Sequence, residues 1–217
     1  MRVVRLVVFD LDGTLVDSTQ DLATAVNAAL ARVAPGTLPL PIDTVRAYIG
    51  NGAGVLITRS LEAAGLPLRP EDVLAVFLDC YRGCLLDTTR LYPGVREALD
   101  SLADRTLAVL TNKPGDMSRT ILAGLEVAGR FAQIYGGGDV PGRKPDPAGL
   151  LRLMAETGVA PRETVIVGDS AVDVRTGRAA DVRTVGVTYG LDPESLTADP
   201  PDHLIHDLRD LARLLPS

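Results

Sequence analysis

Phe9-Asp10-Leu11-Asp12-Gly13-Thr14-Leu15-Val16-Asp17 follows directly on Val3-Val4-Arg5-Leu6-Val7-Val8. The upstream segment is β-branched and mostly apolar, the composition of a strand buried on both faces. Such a strand here ends in two carboxylates at i and i+2. Like charges that close repel, and burial raises the cost further unless a cation compensates. Gly13 lets the backbone turn sharply after the pair. Taken alone, an Asp-x-Asp pair has a plainer reading, a strand-to-helix turn whose aspartates cap the helix. What separates the two readings is whether distant parts of the chain supply partners for the carboxylates.

Downstream, Ser18-Thr19-Gln20-Asp21 predicts a capping box. Leu22, Ala25, Val26, Ala29, Leu30 and Val33 then recur at helical spacing as far as Pro35-Gly36. Further helices are predicted over 45–49, 55–64 and 73–86, the first ended by Gly50-Asn51-Gly52-Ala53-Gly54, so that residues 17–88 read as helical with no strand. The pattern then changes. Tyr92-Pro93-Gly94 opens a helix, and strands are predicted at 107–110, 132–135, 165–167, 184–187 and 203–205. Between them lie helices over 117–127, from Asp146 as N-cap and Pro147 at the first helical position to Thr157, and over 174–180. Gly136-Gly137-Gly138 reads as loop.

Alternating strands and helices imply right-handed βαβ units and a parallel sheet covered on both faces. The fold class expected is α/β, a Rossmann-like parallel sheet core with an inserted all-helical cap domain. Residues 1–15 and 90–217 form the core, and 16–89 form the cap, inserted after the first strand.

The composition excludes several classes. At 217 residues, 46% hydrophobic and 23% charged, this is ordinary globular material. No apolar run approaches the roughly 18 residues a membrane span needs. Met1-Arg2 leads straight into the first strand without an apolar signal core, which sets a cytoplasmic location as the expectation. A net charge of −6 argues against a nucleic-acid footprint. Cys80 and Cys84, four apart, suit neither a zinc framework nor redox chemistry. His203 and His206 lie near the C-terminus with no nucleophile beside them. The 22 basic residues comprise 20 arginines and only two lysines, Lys113 and Lys144. Both lysines fall beside strand ends, where a compact ammonium suits a compact anion.

Strands of a parallel sheet point the same way, so their C-terminal ends share one edge, where ligands bind. Four of these ends carry polar chemistry: Asp10 and Asp12; Thr111, Asn112 and Lys113; Lys144 in the loop after the third; and Asp169. Asp173 follows Asp169 by four, one helical turn on and facing the same side. Oxygen-only ligands without His or Cys select a hard ion such as Mg²⁺. Beside such an ion, an aspartate is a competent nucleophile towards a phosphate, a second carboxylate can protonate the leaving oxygen, and Lys144 and Thr111 can hold phosphoryl oxygens.

Asp10-Leu11-Asp12-Gly13-Thr14, Thr111-Asn112, Lys144-Pro145 and Gly168-Asp169-Ser170-x-x-Asp173 resemble the four motifs of haloacid-dehalogenase-superfamily phosphatases. Within that superfamily the chain is most similar to phosphoglycolate phosphatases, over nearly its whole length. The cues are Val45-Arg46 leading to Ile49-Gly50-Asn51-Gly52-Ala53, then Leu110-Thr111-Asn112-Lys113-Pro114, Gly137-Gly138-Asp139 and Val185-Gly186-Val187-Thr188-Tyr189-Gly190. The resemblance implies that Asp10 is nucleophile and Mg²⁺ ligand, and that Asp12 is acid/base with its backbone carbonyl on the metal. It further implies that Asp169 ligates Mg²⁺ and that Asp173 supports the metal directly or through water. By the same resemblance Thr111 and Lys144 bind phosphate, with Asn112 and Gly13 in the same set. Asp at position 10, and the lack of any lysine in residues 15–90, argue against the dehalogenating and phosphonate-cleaving relatives.

The loop Gly50-Asn51-Gly52 follows a helix, not a strand, so a dinucleotide reading fails. It is expected to close over the site, with Arg46, Asn51 and Gly52 meeting the substrate's non-phosphate end; a plain helix–helix turn with Arg46 in solvent is the alternative. The reaction expected is Mg²⁺-dependent hydrolysis of a small phosphorylated metabolite through an aspartyl-phosphate, 2-phosphoglycolate to glycolate and phosphate. Pyrophosphate, a sugar phosphate or a nucleotide as substrate, a sugar-phosphate mutase, and a non-enzymatic phospho-switch are the alternatives. Monomer and homodimer both stay open.

Overall fold

In chain order the strands are β1 (Leu6–Phe9), β2 (Val16–Asp17), β3 (Arg90–Leu91), β4 (Thr106–Pro114), β5 (Gln133–Gly137), β6 (Thr164–Gly168), β7 (Arg183–Val187) and β8 (His203–Ile205). The helices are α1 (Thr19–Val33), α2 (Ile42–Arg46), α3 (Ala53–Ala63), α4 (Pro70–Arg82), α5 (Val95–Ser101), α6 (Gly115–Gly124), α7 (Ala148–Thr157), α8 (Ala171–Ala179), α9 (Ser195–Ala198) and α10 (Leu211–Leu214). This computed structural model describes residues 3–215; Met1 and Arg2, read above as leading into the first strand, lie outside the described residues.

Six strands form one parallel sheet in the order β5-β4-β1-β6-β7-β8. β1 is central, with Leu6 opposite Thr106 on one side and Thr164 on the other. Its four residues are all buried, as a strand covered on both faces requires. Side chains alternate across it. Leu6 and Val8 join Leu150 and Leu153 of α7 in one apolar cluster, while Val7 and Phe9 join Leu99 of α5 and Ile121 of α6 in the other. Fully burying each such side chain contributes about 1.5–3 kcal/mol, so either face depends on its helices.

The second cluster continues without a break into α1, α3 and α4 through Val26, Leu30, Ile57, Leu61 and Phe77. Of the α1 residues placed on one face by their spacing, Leu22, Ala25, Val26, Ala29 and Leu30 are buried and Val33 is half-buried. Among the described residues, no helix is long and apolar enough to cross a membrane.

Residues 17–88 are not purely helical at their margins. Val16–Asp17 pairs antiparallel with Arg90–Leu91, so the chain leaves and rejoins the region of the large sheet through a two-stranded ribbon. Two residues per strand are too few to show a period of two. The expected capping box at Ser18 and Asp21 does not form either. Ser18 is the N-cap residue without a side-chain cap hydrogen bond, because its hydroxyl donates to Asp12 Oδ1 at 2.5 Å. The Asp21 carboxylate instead accepts from the backbone N–H and hydroxyl of both Thr88 and Thr89. Gly136 and Gly137 belong to β5, where Gly137 pairs with Pro114, and only Gly138 is left outside the strand. Asp146 sits one residue ahead of the N-cap, Pro147, and accepts from Ala148 N–H at 2.8 Å.

Candidate active site

The parallel sheet carries its chemistry to one edge. Asp10 and Asp12 follow β1, Thr111 to Lys113 close β4, Lys144 lies in the loop after β5, and Asp169 follows β6. Asp173 stands in the first turn of α8, where its Oδ2 accepts from the Ser170 hydroxyl at 2.9 Å. Asp10, Asp169 and Asp173 each present one oxygen within 4.8 Å of the others, and all three are buried. The sequence separates them by more than a hundred and fifty residues; β1 lying beside β6 joins them.

Three buried carboxylates that close demand positive charge. Lys144 supplies part of it, with Nζ 2.8 Å from Asp10 Oδ1 and 2.6 Å from Asp173 Oδ1. Burial alone would lower the Lys144 pKa, but Asp10 and Asp173 outweigh it and hold the ammonium above its usual range. Asp169 has no basic side chain within ion-pair distance among the described residues. Burial first, and then the charges of Asp173 and Asp10, push its carboxyl up to about 8. Burial likewise raises Asp10 to about 6 against the opposing pull of Lys144. A buried all-oxygen set that strains against its own charge is what a hard divalent cation fits. The Asp12 carboxylate is not in this group.

Asp12 turns the other way. Lys113 Nζ lies 2.9 and 3.0 Å from its two oxygens, and the Ser18 hydroxyl binds the nearer one. Lys113 is itself buried and lies 4.6 Å from the centre of the Tyr81 ring. Both lysines of the chain are thus spent inside the site, each on a different member of the Asp10/Asp12 pair. Asp10 and Asp12 share one cavity with Thr111, Lys113 and the loop residues Gly50 and Gly52. Its volume is about 30 Å³, room for roughly two waters.

The other expected residues are placed as follows. Asn112 spends its amide on positioning: Oδ1 accepts from Lys144 N–H at 2.9 Å, and Nδ2 donates to the carbonyls of Lys144 and Gly50. Asn51 lines a smaller recess between Asp12 and Asp169. Gly52 borders the main cavity. Arg46 does not reach that cavity; it is exposed, and its Nη2 donates to Gly190 O at 2.9 Å. The loop it grips also holds Asp169, whose Oδ2 accepts from Leu191 N–H at 2.6 Å and from Asp192 N–H at 3.3 Å. Close approach explains two glycines here. A Cβ on Gly13, where φ is +85°, would lie 2.2 Å from Asp169 Oδ2, and one on Gly190 would lie 2.2 Å from Asp169 Cβ.

Sequence reading missed Ser18 and Tyr81 as neighbours of Asp12, and Thr14, which donates to Asp169 Oδ1 at 3.4 Å. The Lys/Arg bias was the one signal that could have assigned Lys113. Of the cysteines, Cys84 is buried beyond the end of α4, and its thiol is raised to about 11, chiefly by burial. His203 and His206 are exposed, and neither lines the cavity that holds Asp10 and Asp12.

A Rossmann-like sheet whose β1 and β6 ends hold a buried carboxylate trio, with a lysine between two of its members, defines a metal-assisted α/β hydrolase. Residues 7–187 match the haloacid dehalogenase-like hydrolase family. The chain is 41% identical over 216 residues to the phosphoglycolate phosphatase of Pseudomonas putida, covering 95% of this chain and 78% of that one. It is 40% identical over 222 residues to that of Haemophilus influenzae, covering 97% and 98%. A crystal structure from Haemophilus somnus, described as a predicted phosphoglycolate phosphatase, superposes with a TM-score of 0.92 at 33% identity over the whole of both chains. The chain belongs to the haloacid dehalogenase-like hydrolases.

Proposed function

We propose that this hydrolase releases phosphate from a small phosphorylated acid, 2-phosphoglycolate, with Asp10 as nucleophile and Asp12 as acid and base. The observation that carries the reading is Asp10 itself. It is a buried carboxylate in a cavity shared with Asp12 and Thr111, with Lys144 on one of its oxygens and two further carboxylates beside it. The names of the relatives support the substrate.

Asp10 and Leu11 are fixed relative to each other, because Leu11 N–H donates to Asp10 Oδ1 at 2.7 Å. The other Asp10 oxygen attacks phosphorus. A P–O bond forms to Asp10, the bond to the glycolate oxygen breaks, and Asp12 delivers the proton that this oxygen needs. Asp12 then takes a proton from water as the water oxygen attacks the aspartyl-phosphate, returning Asp10 and releasing phosphate. Lys113 and Ser18 hold Asp12 in place for both transfers. Thr111 and Lys144 bind the phosphoryl oxygens, and Asn112 fixes the Lys144 backbone. Asp10, Asp169, Asp173 and the backbone carbonyl of Asp12 would hold Mg²⁺, which when bound offsets the carboxylate repulsion and the phosphate charge.

Residues 16–89 act in this reading as the cap, and 1–15 with 90–217 as the core. In this reading the loop at Asn51 and Gly52, with Arg46 beside it, closes over the site onto the substrate's non-phosphate end. The test is release of inorganic phosphate from 2-phosphoglycolate with and without Mg²⁺, for the native chain and Asp10→Asn. Mg²⁺-dependent release that disappears in the variant is expected; full activity of Asp10→Asn would overturn the assignment of the nucleophile.

A further inference from the structure

The cavity above Asp10 and Asp12 is lined from the helical side by Leu22, Ile49, Leu56, Phe77 and Leu78, by small loop residues, and by Tyr81. Tyr81 is the only residue from that side with a polar side-chain atom to offer. It is 1% exposed, and its hydroxyl has no hydrogen-bond partner among the described residues. A buried hydroxyl left in this state is uncommon and calls for a partner that the chain itself does not provide. The Lys113 ammonium and the Ser18 hydroxyl are beside it, but neither meets it in hydrogen-bond geometry; both bind Asp12 instead.

We propose that the Tyr81 hydroxyl is the substrate-binding group that selects a carboxylate on the far end of the phosphomonoester. This deepens the phosphoglycolate reading and rests on it. Three features suit Tyr81 to the role. Its ring is fixed, stacked on Phe77 with centroids 5.8 Å apart and planes 9° from parallel. The position i+4 from Phe77 on α4 places both rings on one helix face, directed into the cavity. Burial, the largest influence, pushes the phenol up to about 12, so at neutral pH it is a donor. Arg46, the other candidate for this role, does not line the cavity; its Nη2 donates to the Gly190 carbonyl.

The discriminating comparison is Tyr81→Phe assayed on 2-phosphoglycolate and on ethyl phosphate, which has the same chain length without the carboxylate. The substitution keeps the ring, its stacking on Phe77 and its contact with Lys113, and removes only the hydroxyl. A charge-assisted hydrogen bond of this kind corresponds to about 10- to 100-fold in kcat/KM. We expect that loss on 2-phosphoglycolate, mainly in KM, with ethyl phosphate changed by less than about twofold; the second activity also shows that the variant is folded. An unchanged kcat/KM on 2-phosphoglycolate, or equal losses on both esters, would overturn the role of Tyr81 while leaving the phosphatase reading intact. A native enzyme with no preference for 2-phosphoglycolate over ethyl phosphate would overturn the role of Tyr81 and the phosphoglycolate specificity together, and would leave the phosphatase class standing.

Discussion

Replacing Asp21 with Asn tests how the second crossing between the helical block and the sheet is held. The carboxylate accepts from Thr88 N–H at 3.0 Å and Thr88 O–H at 2.6 Å, and from Thr89 N–H at 2.8 Å and Thr89 O–H at 2.7 Å. The two hydroxyls can rotate to accept from an amide. An Asn oxygen at the Oδ2 position can accept from both Thr88 N–H, which is 3.1 Å from Oδ2, and Thr89 N–H, so the substitution removes the charge and not a partner. Hydrogen bonds to a charged group contribute about 1.5–3 kcal/mol against about 0.5–1.5 for neutral ones, so the expected loss is about 1–2 kcal/mol, or roughly 2–8 °C in Tm for a chain of this size. The pH dependence has a definite sign. Burial would raise the Asp21 carboxyl, but the bonds from Thr88 and Thr89 outweigh it and hold it below the ordinary range. Its stabilisation is therefore present above the unfolded value of about 3.9 and is lost as pH falls through the lowered folded value. Urea unfolding of native and Asp21→Asn protein, followed by far-UV circular dichroism, should give a constant difference between pH 5 and 8 that shrinks at pH 3. A difference under about 0.5 kcal/mol at pH 7, or one that persists undiminished at pH 3, would refute the reasoning; the titrations of the other carboxylates cancel between the two proteins.

Lys144→Met removes the cation shared by Asp10 and Asp173; phosphate release should fall by about 10²- to 10³-fold, with about 3–5 kcal/mol lost in chemical denaturation of the metal-free protein. Metal removal should expose the charge strain of the site. With Asp10 raised to about 6 and Asp169 to about 8, their contribution is full below the unfolded value near 3.9 and is lost as pH rises through 6 and then 8. Thermal scans in chelator should therefore show Tm falling from pH 5 to pH 9, with added Mg²⁺ restoring more at pH 8 than at pH 5. A chelated protein whose Tm is flat over this range would contradict that account.

The sheet and its functional edge were legible because both follow from polarity. Once 107–110 and 165–167 read as buried parallel strands, Thr111, Asn112 and Asp169 had to share an edge with Asp10. Asp173 followed from its spacing to Asp169, and Lys144 from its place in the loop after the third strand and from the scarcity of lysine in the chain. What escaped the sequence was decided by tertiary contact. Ser18 and Asp21 carry the pattern of a capping box, yet each side chain has a stronger partner: Asp12, six residues upstream and outside the capping pattern, and the distant Thr88-Thr89 segment. β2 and β3 are too short to announce themselves and exist only because the chain ends of the helical block meet. Arg46 reads in the sequence as a ligand for a substrate carboxylate; that its Nη2 donates to the carbonyl of Gly190, far along the chain, is a tertiary contact no spacing announces. Tyr81 sits among apolar residues at helical spacing and reads as core; only the cavity shows that its hydroxyl is unpaired.

The central place of β1 in the sheet sets the order in which the molecule can be made. The strand emerges first from the ribosome, but its two neighbours begin at Thr106 and Thr164. Until Thr106–Pro114 has been made, Leu6–Phe9 is therefore an apolar strand with both edges open, and until Thr164–Gly168 follows one edge stays open, the kind of segment that pairs with other chains. The helices α1 to α4 are made in that interval, and their contacts are local enough to form at once. Arg5 and Asp10 flank the apolar run and act as charged gatekeepers while it waits. Asp10 would then serve the nascent chain before it serves the substrate.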